Sequence, residues 1–432
     1  MKNITILITT FILFIGTINA QKQTELYNKL DQLSKQYNFN FKELKTSKFF
    51  KEKYLLSVPQ LINPKDSSKG FFTQRIFLSH LDFDSAVVFV TEGYAATYAS
   101  YPNYVNELSP ILNANQIVVE YRFFASSTPD SALFHWTYLT IENAAADHHH
   151  IIEILKNIYK NKWVNTGISK GGQTSIYHRY LYPNDVAVTV AYVAPLNFSM
   201  EEKRVYRHLG KVGTAEEREA ILDYQTEMLK NKAKYIPEFE KLAKEKHQTY
   251  SMGIEKGYEL TVLEYSFAFW QWGTTNFKDI PEAEVGAIKM IKHLDNVASI
   301  DWISEQGIKQ MQPFFYQAIT QFGMYGYDIT PFKEWTSYKQ NPTFEFTAPK
   351  GETVKYNNSL HIKIDNWVRH YAKNMIFITG EYDPWGSTSV ELSLDNNCIK
   401  FTKPKGSHRT RISNLPEPMR EEAISLLKEW MK

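Results

Sequence analysis

An α/β protein, with a doubly wound, mostly parallel sheet and a large helical cap insertion, is what this sequence predicts. Short apolar runs alternate with helical periods between residues 85 and 193, the pattern of strands joined by crossover helices. Near Met200 the alternation stops, and helical periods alone continue to about residue 339. Strand-like runs then return at Asn374-Met-Ile-Phe-Ile-Thr379 and over residues 398–402. With 432 residues, 43% hydrophobic and 22% charged, the chain has room for one big domain and an insertion.

Residues 1–20 read as a secretory signal. Lys2 supplies the positive start, residues 4–16 are largely apolar, and Ala20 offers a small residue at the cut. That apolar run is too short for a comfortable bilayer span, and no cysteine lies near the cut to carry a lipid, so no membrane partner is expected. Cys398 is the single cysteine, which excludes an intrachain disulfide. Export without disulfides fits a bacterial periplasm or the medium. A formal net charge of +2 with no Lys/Arg cluster argues against a nucleic-acid partner.

Residues 21–69 are polar and helix-prone, with Leu30, Leu33 and Tyr37 spaced for one buried helical face. Phe72, Gln74, Ile76, Leu78 and His80 alternate and predict antiparallel strands at a sheet edge. Residues 85–90 are a solid apolar run, hence a central strand, and empty into Thr91-Glu-Gly-Tyr94. There follow a helix over about 101–113, a strand over 116–120 and a long helix over 134–159. A strand at 163–166, a helix at 173–182 stopped by Pro183 and a strand at 186–193 complete the first half. Helical periods at 216–231 and 282–294 mark the insertion, residues 341–365 form a mixed connection, and residues 417–432 a last amphipathic helix. The expected organisation is a catalytic domain from residues 21–199 and 340–432, with a cap from 200–339.

Chemistry enters at Gly167-Ile-Ser169-Lys-Gly171, which fits G-x-S-x-G between a predicted strand and a predicted helix. A Gly-rich surface turn has the same letters, so partners must decide. A serine hydroxyl needs a base, itself oriented by an acid. Asp383 follows the strand ending at Thr379, and His408 follows the strand ending at Thr402. Serine, acid and histidine thus come in the order of doubly wound hydrolases, each on a loop at the carboxyl edge of the sheet. Glu381 is the alternative acid. For a developing oxyanion the N–H of Lys170 is one donor, and the loop at Gly93 and Tyr94 supplies the other. Asp147-His-His-His150 looks like a metal site, but adjacent helical residues point about 100° apart and cannot share one ion; no metal or cofactor is expected.

With these residues placed, neighbouring words become informative. Thr166-Gly-Ile-Ser-Lys-Gly-Gly-Gln-Thr174, Thr91-Glu-Gly-Tyr94, Glu120-Tyr-Arg-Phe-Phe124, Glu264-Tyr-Ser-Phe-Ala-Phe-Trp-Gln-Trp-Gly273 and Gly380-Glu-Tyr-Asp-Pro-Trp385 together resemble the secreted bacterial prolyl tri/tetrapeptidyl aminopeptidase family of serine peptidases. These are distant relatives of lysosomal prolyl carboxypeptidase and dipeptidyl peptidase II. The resemblance runs from about Gly70 to the C-terminus and implies an α/β-hydrolase fold with a helical cap, peptide substrates and cleavage of short peptides from a free amino end. It carries the nucleophile onto Ser169, the acid onto Asp383 and the base onto His408. It also implies cap carboxylates that grip the substrate ammonium, with Glu92 and Glu264 as candidates, since a buried ammonium must be paired. Phe267, Phe269, Trp270 and Trp272 offer an apolar wall for a proline pocket, part of which must be cap core because successive helical residues diverge. Gln321, in Tyr316-Gln-Ala-Ile-Thr-Gln321, stands where related enzymes often have a glutamate, and is a further candidate substrate contact. An esterase or lipase would share the triad, and a non-catalytic peptide binder would share the pocket; dependence on a free N-terminus separates them.

Overall fold

The computed structural model describes residues 23–46, 48–394 and 396–432; the secretory-signal reading of residues 1–20 lies outside them. The sheet has nine strands in the order β1-β2-β3-β5-β4-β6-β7-β8-β9. These are β1 (Asn40–Glu43), β2 (Glu52–Leu61), β3 (Phe71–His80), β4 (Val87–Thr91), β5 (Asn115–Val119), β6 (Trp163–Ile168), β7 (Val188–Tyr192), β8 (Lys373–Gly380) and β9 (Asn397–Lys403). β1, β2 and β3 form an antiparallel flank joined antiparallel to β5. All remaining pairs, from β5 to β9, are parallel. This is the doubly wound, mostly parallel sheet of an α/β-hydrolase.

The helices in chain order are α1 (Glu25–Tyr37), α2 (Leu108–Leu112), α3 (Ile141–Leu155), α4 (Lys170–Leu181), α5 (Lys203–Leu209), α6 (Ala215–Lys230), α7 (Lys232–Glu245) and α8 (Ile254–Trp272). Then come α9 (Ala287–Ala298), α10 (Glu305–Gln310), α11 (Gln312–Gln317), α12 (Ser359–His370) and α13 (Glu417–Trp430). Period-2 alternation sorts the central strands between two layers. Val87 and Phe89 pack with Leu26, Leu30 and Leu33 of α1 and Ile151 and Leu155 of α3, whereas Val88 and Val90 pack with Leu108 of α2 and Ala423 and Leu427 of α13. A third apolar cluster joins Ile176 and Tyr177 of α4 to Tyr265 and Phe269 of α8, Leu294 of α9 and Phe377 of β8. The helices between β7 and β8 therefore share one core with the sheet.

Several local expectations change. Residues 21–69 are helical only at α1; after it come β1 and β2, whose lysines and Pro59 hide the alternation of buried Tyr54, Leu56, Val58 and Gln60. Pro59 is tolerated because β1 pairs only with Tyr54 to Ser57, leaving the Pro59 edge without a ladder partner there. β3 is not at the edge but interior, between β2 and β5. The helix over 101–113 shrinks to α2, closed by Asn113 in a left-handed conformation. The long helix over 134–159 starts only at Ile141, where the Thr140 side chain accepts from the Asn143 N–H as an N-cap.

Candidate active site

Ser169 is held at φ 57 and ψ −120, between the end of β6 and the first turn of α4. That strained conformation is locked by close packing around it. A Cβ at Gly167 would stand 2.2 Å from the Gly171 carbonyl oxygen, and one at Gly171 would stand 2.8 Å from the Thr91 oxygen. The Ser169 N–H donates to the Tyr192 carbonyl at 2.8 Å, tying the turn to β7. The hydroxyl of Tyr94 is pushed above its ordinary range by burial and drawn back by a hydrogen bond with the Ser169 side chain.

His408 and Asp383 meet directly: His408 Nδ1 lies 2.7 Å from Asp383 Oδ2. Asp383 is fully buried, and its other oxygen accepts from the Trp385 N–H at 3.1 Å. An acceptor on Nδ1 fixes the imidazole so that Nε2 is the free nitrogen. The His408 backbone N–H donates to the Gln271 carbonyl at 2.8 Å, so the histidine loop is tied to the last turn of α8. Glu381, the alternative acid, instead accepts from the Lys405 N–H at 2.7 Å on the surface.

Ser169 and His408 line one cavity of about 760 Å³, together with Lys170, Tyr94, Glu92, Glu264 and Trp272. On α8 the cavity touches Glu264, Ala268, Gln271 and Trp272, positions that share one helical face. Phe269 and Trp270 fall between those positions and turn away. Phe269 packs in the core that α8 shares with the sheet, and Trp270 stands edge-on to Tyr382 at 5.1 Å and lines a separate cavity of about 330 Å³. Phe267 stacks on Tyr325 at 3.8 Å, behind the wall. Trp272 is the member of that aromatic run that reaches the cavity, edge-on to His408 at 5.9 Å.

Two carboxyl groups in the cavity are perturbed. Glu264 is 4% exposed and accepts from the Tyr327 hydroxyl at 2.7 Å and the Tyr325 hydroxyl at 2.8 Å. Burial raises it to about 8, with the two tyrosines pulling the other way. Half-buried Glu92 is raised to about 7 by burial, opposed by hydrogen bonds from the Tyr98 hydroxyl and the Gly93 N–H. The Gly93 N–H faces the carboxylate of its own neighbour Glu92. The N–H groups of Lys170 and Tyr94 donate to no protein acceptor among the described residues. For Lys170 that follows from its place as first residue of α4.

Gln321 sits elsewhere. Its Oε1 accepts from the Ile141 N–H at 2.9 Å and its Nε2 donates to Glu142 at 3.1 Å, closing the N-terminus of α3. Nor do the histidines of α3 converge. Asp147 pairs with Arg122, His148 is packed between Phe89 and His178, His149 binds Asp185 and His150 binds Gln60. Tyr325 and Tyr327 belong to none of the sequence motifs above. Their i, i+2 spacing, which in extended backbone places both side chains on one side, is the available signal.

Residues 30–431 match the family described as PS-10 peptidase S37. A prolyl tri/tetrapeptidyl aminopeptidase of Streptomyces mobaraensis is 31% identical over 383 residues, covering 87% of this chain and 79% of its own. A prolyl carboxy peptidase like protein 5 of Caenorhabditis elegans is 30% identical over 139 residues, 29% of this chain and 27% of its own. Among solved structures, a proline iminopeptidase of Mycobacterium smegmatis aligns over 91% of this chain and 99% of its own, with 12% identity and a TM-score of 0.42.

Proposed function

Because the chain belongs to the S37 family of serine peptidases, we propose that it is a secreted exopeptidase releasing proline-preferring tri- or tetrapeptides from free N-termini. Ser169, His408 and Asp383 act as nucleophile, base and orienting acid. The observation that carries this reading is the His408–Asp383 bond at 2.7 Å on the same cavity as the strained Ser169 turn.

In this reading His408 Nε2 takes the Ser169 hydroxyl proton as Oγ attacks the scissile carbonyl carbon, while Asp383 holds the imidazolium. The carbonyl oxygen becomes an anion between the N–H groups of Lys170 and Tyr94. Collapse breaks the C–N bond, and His408 returns its proton to the leaving amine. Water, deprotonated by His408, then hydrolyses the ester and frees Ser169.

The face of α8 supports both the exopeptidase reading and the peptide length. A free ammonium of the substrate needs a buried anion, and Glu264 stands ready with its two tyrosines; Glu92 is the second candidate. From Glu264 to Gln271, whose carbonyl holds His408, α8 rises about 10.5 Å. An extended peptide covers about 3.3–3.6 Å per residue, so about three residues fit between amine anchor and base. The rings of Tyr94, Phe314, Phe322 and Trp385 line the same cavity and offer flat apolar faces to a pyrrolidine; Trp272 flanks the base.

The test is a ladder of peptides with proline at position two, three, four or five, free or acetylated at the N-terminus, with ester substrates alongside. Mass spectrometry of the products is expected to show tri- and tetrapeptides released from free peptides. Ester turnover without any peptide release would overturn the reading.

A further inference from the structure

Acyl-enzyme chemistry of this kind uses only the backbone of Lys170, yet its side chain is the most unusual charged group near the nucleophile. It is 1% exposed. Nζ donates to the Gly93 carbonyl at 2.6 Å and stands over the Tyr121 ring at 3.4 Å, with Phe322, Phe124 and Tyr94 at 5.3, 5.4 and 5.6 Å. Burial pulls the ammonium well below the ordinary lysine range, with Glu92 pulling the other way. Ring faces attract a cation but do not replace its water, so a methionine of similar length would pack here at less cost. A lysine kept in such a place calls for a role.

The geometry of the loop after β4 supplies one. A Cβ at Gly93 would lie 2.6 Å from both Cβ and Cγ of Lys170, so this loop rests directly on the lysine stem. No peptide bond among the described residues is cis, and in a trans peptide the C=O of Gly93 and the N–H of Tyr94 point in opposite directions. Whatever grips the Gly93 oxygen therefore also aims the Tyr94 N–H. That N–H has no acceptor among the described residues, and Tyr94 lines the cavity beside Ser169. A donor on the carbonyl end also polarises the amide and strengthens its N–H as a donor.

We propose that the Lys170 side chain is a positioning residue for the oxyanion hole. Its Nζ clamps the Gly93 carbonyl so that the Tyr94 N–H and Lys170's own backbone N–H converge on the substrate oxygen. One residue thus supplies one donor directly and sets the other through its side chain. This rests on the serine-peptidase reading above.

The experiment compares wild type, Lys170→Met and Ser169→Ala on a free prolyl tripeptide nitroanilide, with binding of a prolyl boronate and of the product tripeptide. Boron adds the Ser169 oxygen, His408 takes the proton, and the tetrahedral borate mimics the oxyanion intermediate. Loss of a donor at such a site lowers kcat by about 10²–10³-fold. Lys170→Met is expected to lower kcat by about 10²-fold and boronate affinity to a similar degree, with KM and product affinity within about twofold of wild type. A folded Lys170→Met protein with wild-type kcat and boronate affinity overturns the proposal, as does a loss of product affinity as large as the loss of kcat. Should Lys170→Met not fold, a crystal structure of the wild-type boronate complex decides. A borate oxygen bonded to the Tyr94 N–H, with Nζ still on the Gly93 carbonyl, supports the clamp; either contact missing overturns it. Activity retained in Ser169→Ala would instead sink the serine-peptidase reading itself.

Discussion

The Ser169 turn and the Glu264 wall line one cavity and are assembled in opposite ways. The turn is local. Its glycines pack against each other and against Thr91 at distances no Cβ tolerates, so a handful of neighbouring residues dictates the conformation. The wall is distant in sequence: Glu264 depends on hydroxyls 61 and 63 residues further on. The lesson is that the reaction is written into contiguous sterics, whereas specificity is written into contacts between separate segments. Substitutions in the turn should be nearly all-or-none, and those in the wall graded.

Ser169→Ala is the largest break. Removing such a nucleophile costs about 10⁴–10⁶-fold in kcat; the check is steady-state kinetics on a prolyl nitroanilide, with the melting temperature unchanged.

Second comes pH, which sharpens the contrast because the wall titrates. Glu264, raised to about 8, is mostly neutral below that value and binds an ammonium only once ionised. A peptide amine, with a value of about 7.7–8.0, is an ammonium only below it. The ratio of kcat/KM for free over acetylated substrate should therefore rise by about twentyfold between pH 6 and pH 8, as both limits follow from these values, and fall above pH 8. Taking the ratio removes whatever pH dependence the two substrates share.

Tyr327→Phe removes one of the two hydroxyls on Glu264. A hydrogen bond to a charged group contributes about 1.5–3 kcal/mol. The retained Tyr325 bond leaves part of the site intact, so KM for free peptides should rise about three- to tenfold with kcat nearly constant. The smallest effect is expected at Gln321→Ala. It leaves the Ile141 N–H of α3 without its acceptor, with the Thr140 cap intact, at a cost of about 1 kcal/mol, read by denaturant unfolding, and leaves kcat/KM within about twofold.

That contrast also explains how much was legible in the sequence. Strand–helix alternation and the glycines around Ser169 are short-range patterns, and they gave the sheet, the turn and the three loops at its carboxyl edge. β2 was hidden because it carries Pro59 and a lysine, Lys53, which is buried with its Nζ on the Tyr101 carbonyl. Trp270 and Gln321 could not be assigned a direction, since a motif states neighbours along the chain and not which face of α8 or α3 a side chain meets. The motif points only to the backbone of Lys170; the aromatic cage around Nζ draws on rings at positions 94, 121, 124 and 322, which no local pattern joins.

The central claim, that a Ser169 peptidase reads a free amino end through Glu264, is tested most directly by one comparison. kcat/KM is measured for free and for N-acetylated Xaa-Xaa-Pro nitroanilide with wild type and with Glu264→Gln at pH 8. A buried charge pair predicts that wild type prefers the free substrate by about 10–100-fold and that the variant loses most of that preference through KM. Equal cleavage of both substrates by wild type, or a preference left intact in Glu264→Gln, would contradict it.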